Sequence, residues 1–243
     1  MRWLRCCKIQ LVSSKHSCYP NKLGLEDQAL VCLQYWREYR TYFHIAGDWQ
    51  VSESTVCRIV RWVESSLVSC GKFRLGGKKS LLLSSQKPKT AVMDVTESQI
   101  ERPLHGQKRF YSGKQKRHTL KSQLIIDLTT LEIRCIVNGS GRKHDYKLFI
   151  DSKVHFHPET ESLEDSGYQG ISKIHTNSQL PQKKPKGGKL TKQQKQCNRT
   201  LASRRVVIEH VNRRLKVFRI LSQRYRNRRK RNGRALPFNC WDL

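Results

Sequence analysis

Three acidic residues, Asp94, Asp165 and Glu209, are candidates for a group of carboxylates that would hold a divalent metal ion. Asp94 ends the apolar run Ala91-Val92-Met93, which predicts a buried strand whose last side chain faces a cleft. Asp165 precedes the turn Ser166-Gly167-Tyr168-Gln169-Gly170, whose glycines permit close approach of the backbone. Both aspartates are therefore placed where a ligand could reach them.

Glu209 is set apart by the charges around it. Over residues 166–241 it is the only acidic residue in a stretch rich in lysine and arginine. On a helix its neighbours one or two turns away would be Arg205, Arg213 and Lys216. Ordinary i, i+4 ion pairs would be one explanation, each contributing about 0.2–0.5 kcal/mol. A metal ligand beside phosphate-binding cations explains a lone carboxylate in a cationic helix better.

Such a group of carboxylates predicts a particular chemistry. Three carboxylates drawn together repel one another and raise each other's pKa. Mg²⁺ or Mn²⁺ removes this penalty, because hard cations prefer oxygen ligands. Two such ions can activate a water or a 3′-hydroxyl and stabilise the leaving oxygen in phosphodiester chemistry. Spacing alone leaves Asp127, Asp145, Glu97 and Glu164 open as members of the group, and Glu164 competes closely with Asp165 because Ser162-Leu163-Glu164 makes a poor strand.

The elements around these residues follow an α/β pattern. Residues 124–128 and 133–137 are apolar runs on either side of a turn at Thr129–Glu132, which predicts a hairpin. A short helix is predicted over Tyr146–Val154. A long helix is predicted over Leu201–Tyr225, where apolar residues recur at helical spacing.

A helical region precedes the α/β part. One helix starts at Leu25, a second short helix is predicted over Thr41–Ala46 with Gly47 in the following turn, and Ser52 caps a third. Two short helices joined by a glycine-containing turn form a helix-turn-helix. The expected apolar faces are Leu25, Ala29, Leu30, Leu33 and Trp36 in the first helix and Val56, Ile59, Val60 and Val63 in the third.

The third helix is the candidate for DNA recognition. In a helix-turn-helix the second helix of the motif lies in the major groove and leads with its N-terminal residues. Here Ser54, Thr55 and Arg58 would contact bases, with Arg61 near the backbone. The alternative is a plain three-helix bundle on which the two arginines form a solvated face.

The composition favours a polyanionic partner. The 243 residues include 48 Lys and Arg against 19 Asp and Glu, a formal net charge of +29, and nucleic acid is the commonest partner for such a surplus. The nine cysteines contain no C-x-x-C pair, which argues against a zinc ribbon. With no secretory signal and no membrane span in evidence, we expect a cytoplasmic, nucleoid-associated protein.

These features predict a sequence of domains. An irregular segment (1–24) precedes a helix-turn-helix domain (25–70), a basic linker (71–90) and a catalytic domain (91–231). Residues 171–200, rich in Lys, Gln, Gly and Pro, are expected to be a mobile basic insertion lying against DNA. Residues 232–243 form an atypical tail.

Several segments together resemble those of the DDE transposases of bacterial insertion sequences, in the insertion sequence five group, which are related to the Harbinger-like DDE endonucleases. The resemblance runs from about Leu25 to Arg231. It is carried by residues 35–45 (YWREYRTYFHI), 51–55 (VSEST), 94–97 (DVTE), 111–121 (YSGKQKRHTLK), 165–170 (DSGYQG) and 224–231 (RYRNRRKR).

The resemblance implies a ribonuclease-H-like mixed sheet flanked by helices, following a small all-α helix-turn-helix domain. It implies that Asp94 lies on the first strand, Asp165 after the fourth and Glu209 on a late helix. It also implies DNA contacts near the glutamate, by Arg205 and Lys216, although Ala202 stands where the family often has Tyr. Arg213, one turn from Glu209 on the same helix, is a further candidate for DNA contact. Lys114, Lys116, Arg117 and His118 are further candidates for DNA contact, or else a solvated hairpin edge.

The function implied is that of a transposase. It would bind the terminal inverted repeats of its element as double-stranded DNA, cut the element end with Mg²⁺ or Mn²⁺ and join the freed 3′-hydroxyl to target DNA. The family works as an oligomer on paired ends. The alternative is a non-catalytic DNA-binding remnant that acts as a repressor. An RNA-binding protein is disfavoured because neither an aromatic sheet motif nor a Gly-x-x-Gly clamp is present.

Both ends of the chain depart from the family. Met1–Tyr19 lacks the helical periodicity expected there, and the tail from Asn232 replaces an apolar helix. Codons for Phe238 to Leu243, shifted by one base, could encode Leu-Ile-Ala-Gly-Ile, so we expect a frameshift in the gene. A nucleotide sequence that does not encode Leu-Ile-Ala-Gly-Ile in the shifted frame would contradict the frameshift.

Overall fold

A computed structural model describes residues 22–71, 75–185 and 187–227. The expectations for the first 21 residues and for the C-terminal tail lie outside this part of the chain. The described residues form two compact units. One comprises 22–71 together with 216–223 and 227, and the other comprises 75–215 together with 224–226.

The helices and strands are numbered in chain order. The helices are α1 (Leu25–Glu38), α2 (Tyr42–Asp48), α3 (Glu53–Ser69), α4 (Gln107–Phe110), α5 (Asp145–Ser152), α6 (Lys192–Leu215) and α7 (Arg219–Ser222). The strands are β1 (Thr90–Gln99), β2 (Tyr111–Ser112), β3 (Arg117–Asp127), β4 (Ile133–Ser140), β5 (Glu161–Leu163) and β6 (Ser178–Gln179). None of the helices in the described ranges is long and apolar enough to cross a membrane.

The first unit is helical, with α1, α2 and α3 packed on one another and α7 against α1. The predicted face of α3 is confirmed, since Val56, Ile59, Val60 and Val63 are all buried. The predicted face of α1 is partly wrong. Leu25 and Leu30 are exposed, and the side of α1 turned to the core carries instead Ala29, Val31, Cys32, Tyr35 and Trp36.

The turn between α2 and α3 differs from the expected one. Gly47 lies inside α2, and the chain turns at Gln50, whose φ of 51° is left-handed. Ser52 caps α3 as predicted, accepting a hydrogen bond from the backbone N–H of Thr55 at 3.2 Å. The cap satisfies one of the free N–H groups at the start of the helix.

The second unit is built on a mixed sheet. In its main part the order is β4-β3-β1-β5-β6, with β2 pairing with the start of β3. β1, β3 and β4 are antiparallel, whereas β5 and β6 run parallel to β1. The predicted hairpin is the β3–β4 pair. With helices flanking this sheet, the unit has the expected ribonuclease-H-like α/β architecture.

The two faces of the sheet are covered by different helices. Met93 lies in a buried cluster with Ile125, Phe149 of α5 and Tyr168. The next residue, Asp94, contacts Asn212 of α6. Because successive strand side chains point to opposite faces, α5 and α6 lie on opposite sides of β1.

Two segments that were expected to be irregular contribute to this unit. In the predicted linker, Lys78–Leu81 forms a 3-10 turn whose Leu81 is fully buried. In the predicted insertion, Ile171 is buried, β6 joins the sheet, and α6 starts at Lys192 rather than Leu201. The long helix also ends earlier than predicted, at Leu215.

Candidate metal-binding active site

Asp94 lies in the middle of β1. The expectation that it ends the strand is wrong, because β1 continues to Gln99 by pairing with β3. Its carboxylate accepts a hydrogen bond from the side-chain amide of Asn212 at 3.0 Å. Burial raises the pKa of Asp94, and the negative charges of Asp165 and Asp145 add to this while Arg205 opposes it.

Asp165 follows the end of the neighbouring strand β5 by two residues, and its backbone is still extended. The parallel register pairs Val92 with Leu163, and each aspartate follows its member of that pair by two residues. Residues two apart on a strand share a face, and paired strands lie about 4.8 Å apart. The register therefore directs both carboxylates to the same region of the unit.

The surroundings of Asp165 are polar and open. The side chain is exposed and accepts a hydrogen bond from the backbone N–H of Ser166 at 2.6 Å. Arg205 of α6 lies 3.6 Å away through Nη1, with a side chain only 16% exposed. The positive charge of Arg205 thus stabilises the two carboxylates. Because its side chain is mostly buried, little of it is accessible for the predicted contact with a DNA phosphate.

Glu209 is exposed on α6, between the two residues of that helix that contact the aspartates. It follows Arg205 by four residues and precedes Asn212 by three, so it neighbours both on the helix surface. Among the described residues it forms no ion pair or hydrogen bond, and the ordinary i, i+4 pairs with Arg205 and Arg213 are not formed. Glu209 therefore lies on α6 between two residues that contact the aspartates, and it contacts neither aspartate itself.

No three His, Cys, Asp or Glu side chains converge as metal ligands within the part of the chain that the structure describes. Asp94 and Asp165 nevertheless suit a hard cation, because they are oxygen donors close enough for one charge to raise the pKa of the other. A cation there would remove that repulsion. The missing member is the third carboxylate.

The other acidic residues that the sequence left open are engaged elsewhere. Asp127 pairs with Arg134 at 3.1 Å and accepts a hydrogen bond from the backbone N–H of Thr129, which stabilises the hairpin turn. Glu97 and Asp145 share Lys121, at 3.7 and 2.7 Å. These contacts give the carboxylates structural roles, although the charge of Asp145 reaches Asp94.

Helix α6 is fixed to the sheet by an ion pair that the sequence did not reveal. Arg204 binds Glu161 of β5 through two nitrogens, one of them 2.9 Å from Oε1. The Thr90 hydroxyl also donates to Glu161, at 2.9 Å, and the Arg204 hydrogen bonds hold the pKa of this carboxyl below its ordinary value. The contact sets the rotation of α6, and hence where Arg205, Glu209 and Asn212 point.

Glu164 occupies a different environment from its neighbour Asp165. It is fully buried, and neither of its oxygens nor the buried Ser162 hydroxyl has a well-formed hydrogen bond. Burial raises the pKa of Glu164 to about 7 from an ordinary 4.5. Of the two acidic residues that the sequence could not separate, only Asp165 is accessible to a ligand.

The pKa of Glu164 predicts how stability depends on pH. Between pH 4.5 and 7 the folded chain keeps a proton that the unfolded chain releases. The resulting stability is full below pH 4.5 and is lost as the pH rises through 7, a change of roughly 3 kcal/mol. Denaturant unfolding at pH 5 and pH 8 should show this loss in the wild type and not in Glu164→Gln. The same pH dependence in both proteins would contradict it.

The predicted DNA-contacting residues lie in both units. On α3, Thr55 forms part of the cap and receives a hydrogen bond from Arg58 at 3.3 Å, while Ser54, Arg58 and Arg61 are exposed. Lys114 and Lys116 are exposed in the turn before β3, and Arg117 donates to Gln99 at 3.1 Å. His118 packs edge-on against Tyr111. Arg213 and Lys216 are exposed at the end of α6 and directly after it.

The fold and the paired aspartates agree with comparisons of the sequence. Residues 93–241 match the DDE superfamily endonuclease family, and residues 21–73 match the helix-turn-helix of DDE superfamily endonucleases. The chain therefore belongs to the DDE superfamily endonucleases. Enzymes of this superfamily are generally dependent on divalent metal ions.

Two relatives link the chain to insertion sequences. It is 56% identical over 212 residues to the "Probable transposase for insertion sequence element IS702" of Microchaete diplosiphon, covering 87% of this chain and 77% of the relative. It is 25% identical over 207 residues to a protein of Streptomyces albus G whose name gives it as a transposase for insertion sequence element IS112, covering 83% and 73%. The chain is a homologue of insertion-sequence transposases.

Proposed function

We propose that this chain binds the terminal inverted repeats of an insertion sequence through α3. We further propose that it cuts and joins DNA with Asp94, Asp165 and Glu209 as ligands of Mg²⁺ or Mn²⁺, two ions in all. The proposal is supported by the matched positions of Asp94 on β1 and Asp165 just after β5, and by the contacts of Asn212 and Arg205 of α6 with these two aspartates. The DNA on which it acts would be that of the nucleoid, and the chain would work as an oligomer on paired ends.

The metal would supply the positive charge that lowers the pKa of an attacking water or 3′-hydroxyl. The residues around it have separate tasks. Asn212 donates to Asp94 and fixes the orientation of its carboxylate. Arg205 limits the repulsion between the aspartates. Glu209, exposed and unpaired among the described residues, is free to turn toward the aspartates when a cation draws the three carboxylates together.

Recognition of the repeat is assigned to the exposed N-terminal part of α3. Arg58→Ala should weaken binding to the inverted repeat by about 1–3 kcal/mol, because one side chain that reads a base edge is lost. Binding to a scrambled duplex should change much less. Fluorescence anisotropy with both duplexes measures the ratio of the affinity for the repeat to the affinity for the scrambled duplex.

The matched control is Arg40→Ala, which removes a partly exposed arginine of the same unit that lies outside α3 and pairs with Asp48 at 2.6 Å. An equal loss on the repeat and on the scrambled duplex in Arg58→Ala would show that Arg58 contacts only phosphate. A loss in Arg40→Ala as large as in Arg58→Ala would remove the special role of α3. The strand chemistry is tested separately, by mapping the products formed from a labelled element end.

A further inference from the structure

The catalytic unit carries a cationic depression outside the aspartate site. Two adjoining hollows, of about 1040 and 620 Å³, share Gln107, Lys108 and Arg142 as lining residues. We call the pair the basic groove, and its main side chains are Arg102, Lys108, Tyr111, His118, Arg142 and Lys143.

A close approach of two backbone segments builds the basic groove. A Cβ at Gly141 would lie 2.1 Å from Oγ1 of Thr119 and 2.7 Å from the carbonyl oxygen of Phe110, so only glycine fits. The backbone N–H of Arg142 then donates to the carbonyl of Arg109 at 3.3 Å. This approach brings the cations that follow β4 beside those of α4.

The charge of the basic groove lacks internal compensation. Among the described residues that line the two hollows, Asp151 is the only acidic one, and it pairs with Lys143 at 2.7 Å and Lys147 at 3.1 Å. Lys108 and Arg142 are exposed and have no carboxylate partner among the described residues. Clustered cations without counter-charges repel one another and favour binding of a polyanion.

An aromatic side chain lies among these cations. Tyr111 pairs with His118 across β2 and β3, with their rings edge-on and 5.7 Å apart, and Tyr111 remains 43% exposed. Cations that follow a backbone together with an exposed ring are typical of sites for single-stranded nucleic acid. In a duplex the faces of the bases are covered by stacking, so the ring favours an unpaired strand.

The basic groove lies in the same unit as the candidate active site, but it is lined partly by α5, whereas Asp94 faces α6 on the other side of β1. It borders the end of β1, where the Ile100 N–H bonds the His118 carbonyl at 2.9 Å, six residues beyond Asp94 or about 20 Å along the strand. On its other side His144 lines the groove directly before Asp145, whose charge raises the pKa of Asp94. The N-terminal end of α5, at His144 and Asp145, is thus the point where a DNA strand held at the aspartates would pass into the groove.

We infer that the basic groove binds an unpaired DNA strand next to the cleaved bond, with Lys108 and Arg142 on its phosphates and the Tyr111 ring stacked on a base. The inference rests on the proposed function, because it takes the strand to be part of the transposase's DNA substrate. It adds a single-strand site that is separate from α3 and from the aspartates.

The test measures binding of the full chain to a labelled oligothymidine and to a blunt inverted-repeat duplex, in EDTA so that no cleavage occurs. Tyr111→Ala should weaken oligothymidine binding by about 5- to 150-fold and leave duplex binding unchanged. The double variant Lys108→Ala/Arg142→Ala should lower the salt dependence of oligothymidine binding by about 1.4 in log–log slope, from two lost single-strand phosphate contacts.

The matched control is Lys79→Ala/Lys89→Ala, two exposed lysines at the opposite end of the sheet, where β1 begins and β4 starts. The inference is overturned if Tyr111→Ala binds oligothymidine like the wild type. It is also overturned if Lys108→Ala/Arg142→Ala lowers the salt dependence of oligothymidine binding no more than the control double variant does. Unchanged repeat recognition in Arg58→Ala, or unchanged nicking in Asp94→Asn, would contradict the proposed function and leave the oligothymidine results unaffected. Failure of the proposed function is therefore distinguishable from failure of this inference.

Discussion

Asp94→Asn is expected to reduce nicking of an inverted-repeat duplex by about a thousand-fold or more, with DNA binding unchanged. The substitution keeps the shape of the side chain and removes the charge that a metal ligand needs. Burial raises the pKa of Asp94, so its charged form is disfavoured in the folded protein. The free energy of unfolding therefore falls as the pH rises through the folded pKa of this group. The variant should therefore unfold at the same or a higher temperature than the wild type at neutral pH.

Asp127→Asn is the control for this prediction. Asp127 is also a buried carboxylate of the same sheet, in register with Ala91 of β1, but its charge serves Arg134 and the hairpin turn. The variant should lose stability and retain nicking per folded molecule. Loss of nicking in Asp127→Asn with activity kept in Asp94→Asn would show that the metal-binding group is misassigned.

Glu209→Gln is expected to be as severe as Asp94→Asn, although Glu209 contacts neither aspartate in the structure. The expectation follows from its place on α6 between Arg205 and Asn212, and from the absence of an ion pair that would give the carboxylate another role among the described residues. Asn212→Ala should lower nicking only about 10- to 100-fold, the usual cost of losing a residue that orients a metal ligand. Product formation in a time course, measured with Mg²⁺ and with Mn²⁺, separates the two variants.

Glu132→Gln serves as the control, since Glu132 is a comparably exposed carboxylate of the same unit and pairs with Arg134. It should nick at the wild-type rate. If Asn212→Ala abolishes nicking and Glu209→Gln does not, α6 contributes an amide to the site and the third carboxylate must come from elsewhere.

Local patterns in the sequence were enough for some of the predictions. Glu209 is a candidate because it is isolated among cations over a long stretch, and its role as a metal ligand stays a prediction. The face of α3 followed from the spacing of Val56, Ile59, Val60 and Val63, since a helix pairs residues that are close in sequence. Neither prediction required knowledge of the tertiary pairing.

Other features depend on long-range pairing and could not be predicted. The second half of β1, Val95 to Gln99, is mostly polar and forms a strand only because β3 pairs with it. Asp165 could not be separated from Glu164 until the three residues of β5 were placed in register with β1. The structure then shows one of the pair fully buried and the other exposed.

Composition misled where a few apolar residues decide the packing. The basic segment 171–200 was expected to be mobile, yet Ile171 and Leu201 at its borders are buried and β6 lies between them. Asn212 and Arg204 had no signal of their own in the sequence. Their importance follows from the partners they meet, Asp94 and Glu161, which are more than 40 residues away along the chain.

The most direct test of the account is incubation of the wild-type chain with a labelled duplex carrying its inverted repeat and flanking DNA. With Mg²⁺ or Mn²⁺ we expect a nick at the element end that leaves a 3′-hydroxyl, and then joined products with a second duplex. We expect no cleavage in EDTA, and none of a scrambled repeat. Tight binding to the repeat with neither nicking nor joining in either metal would contradict it and leave a DNA-binding protein without catalysis.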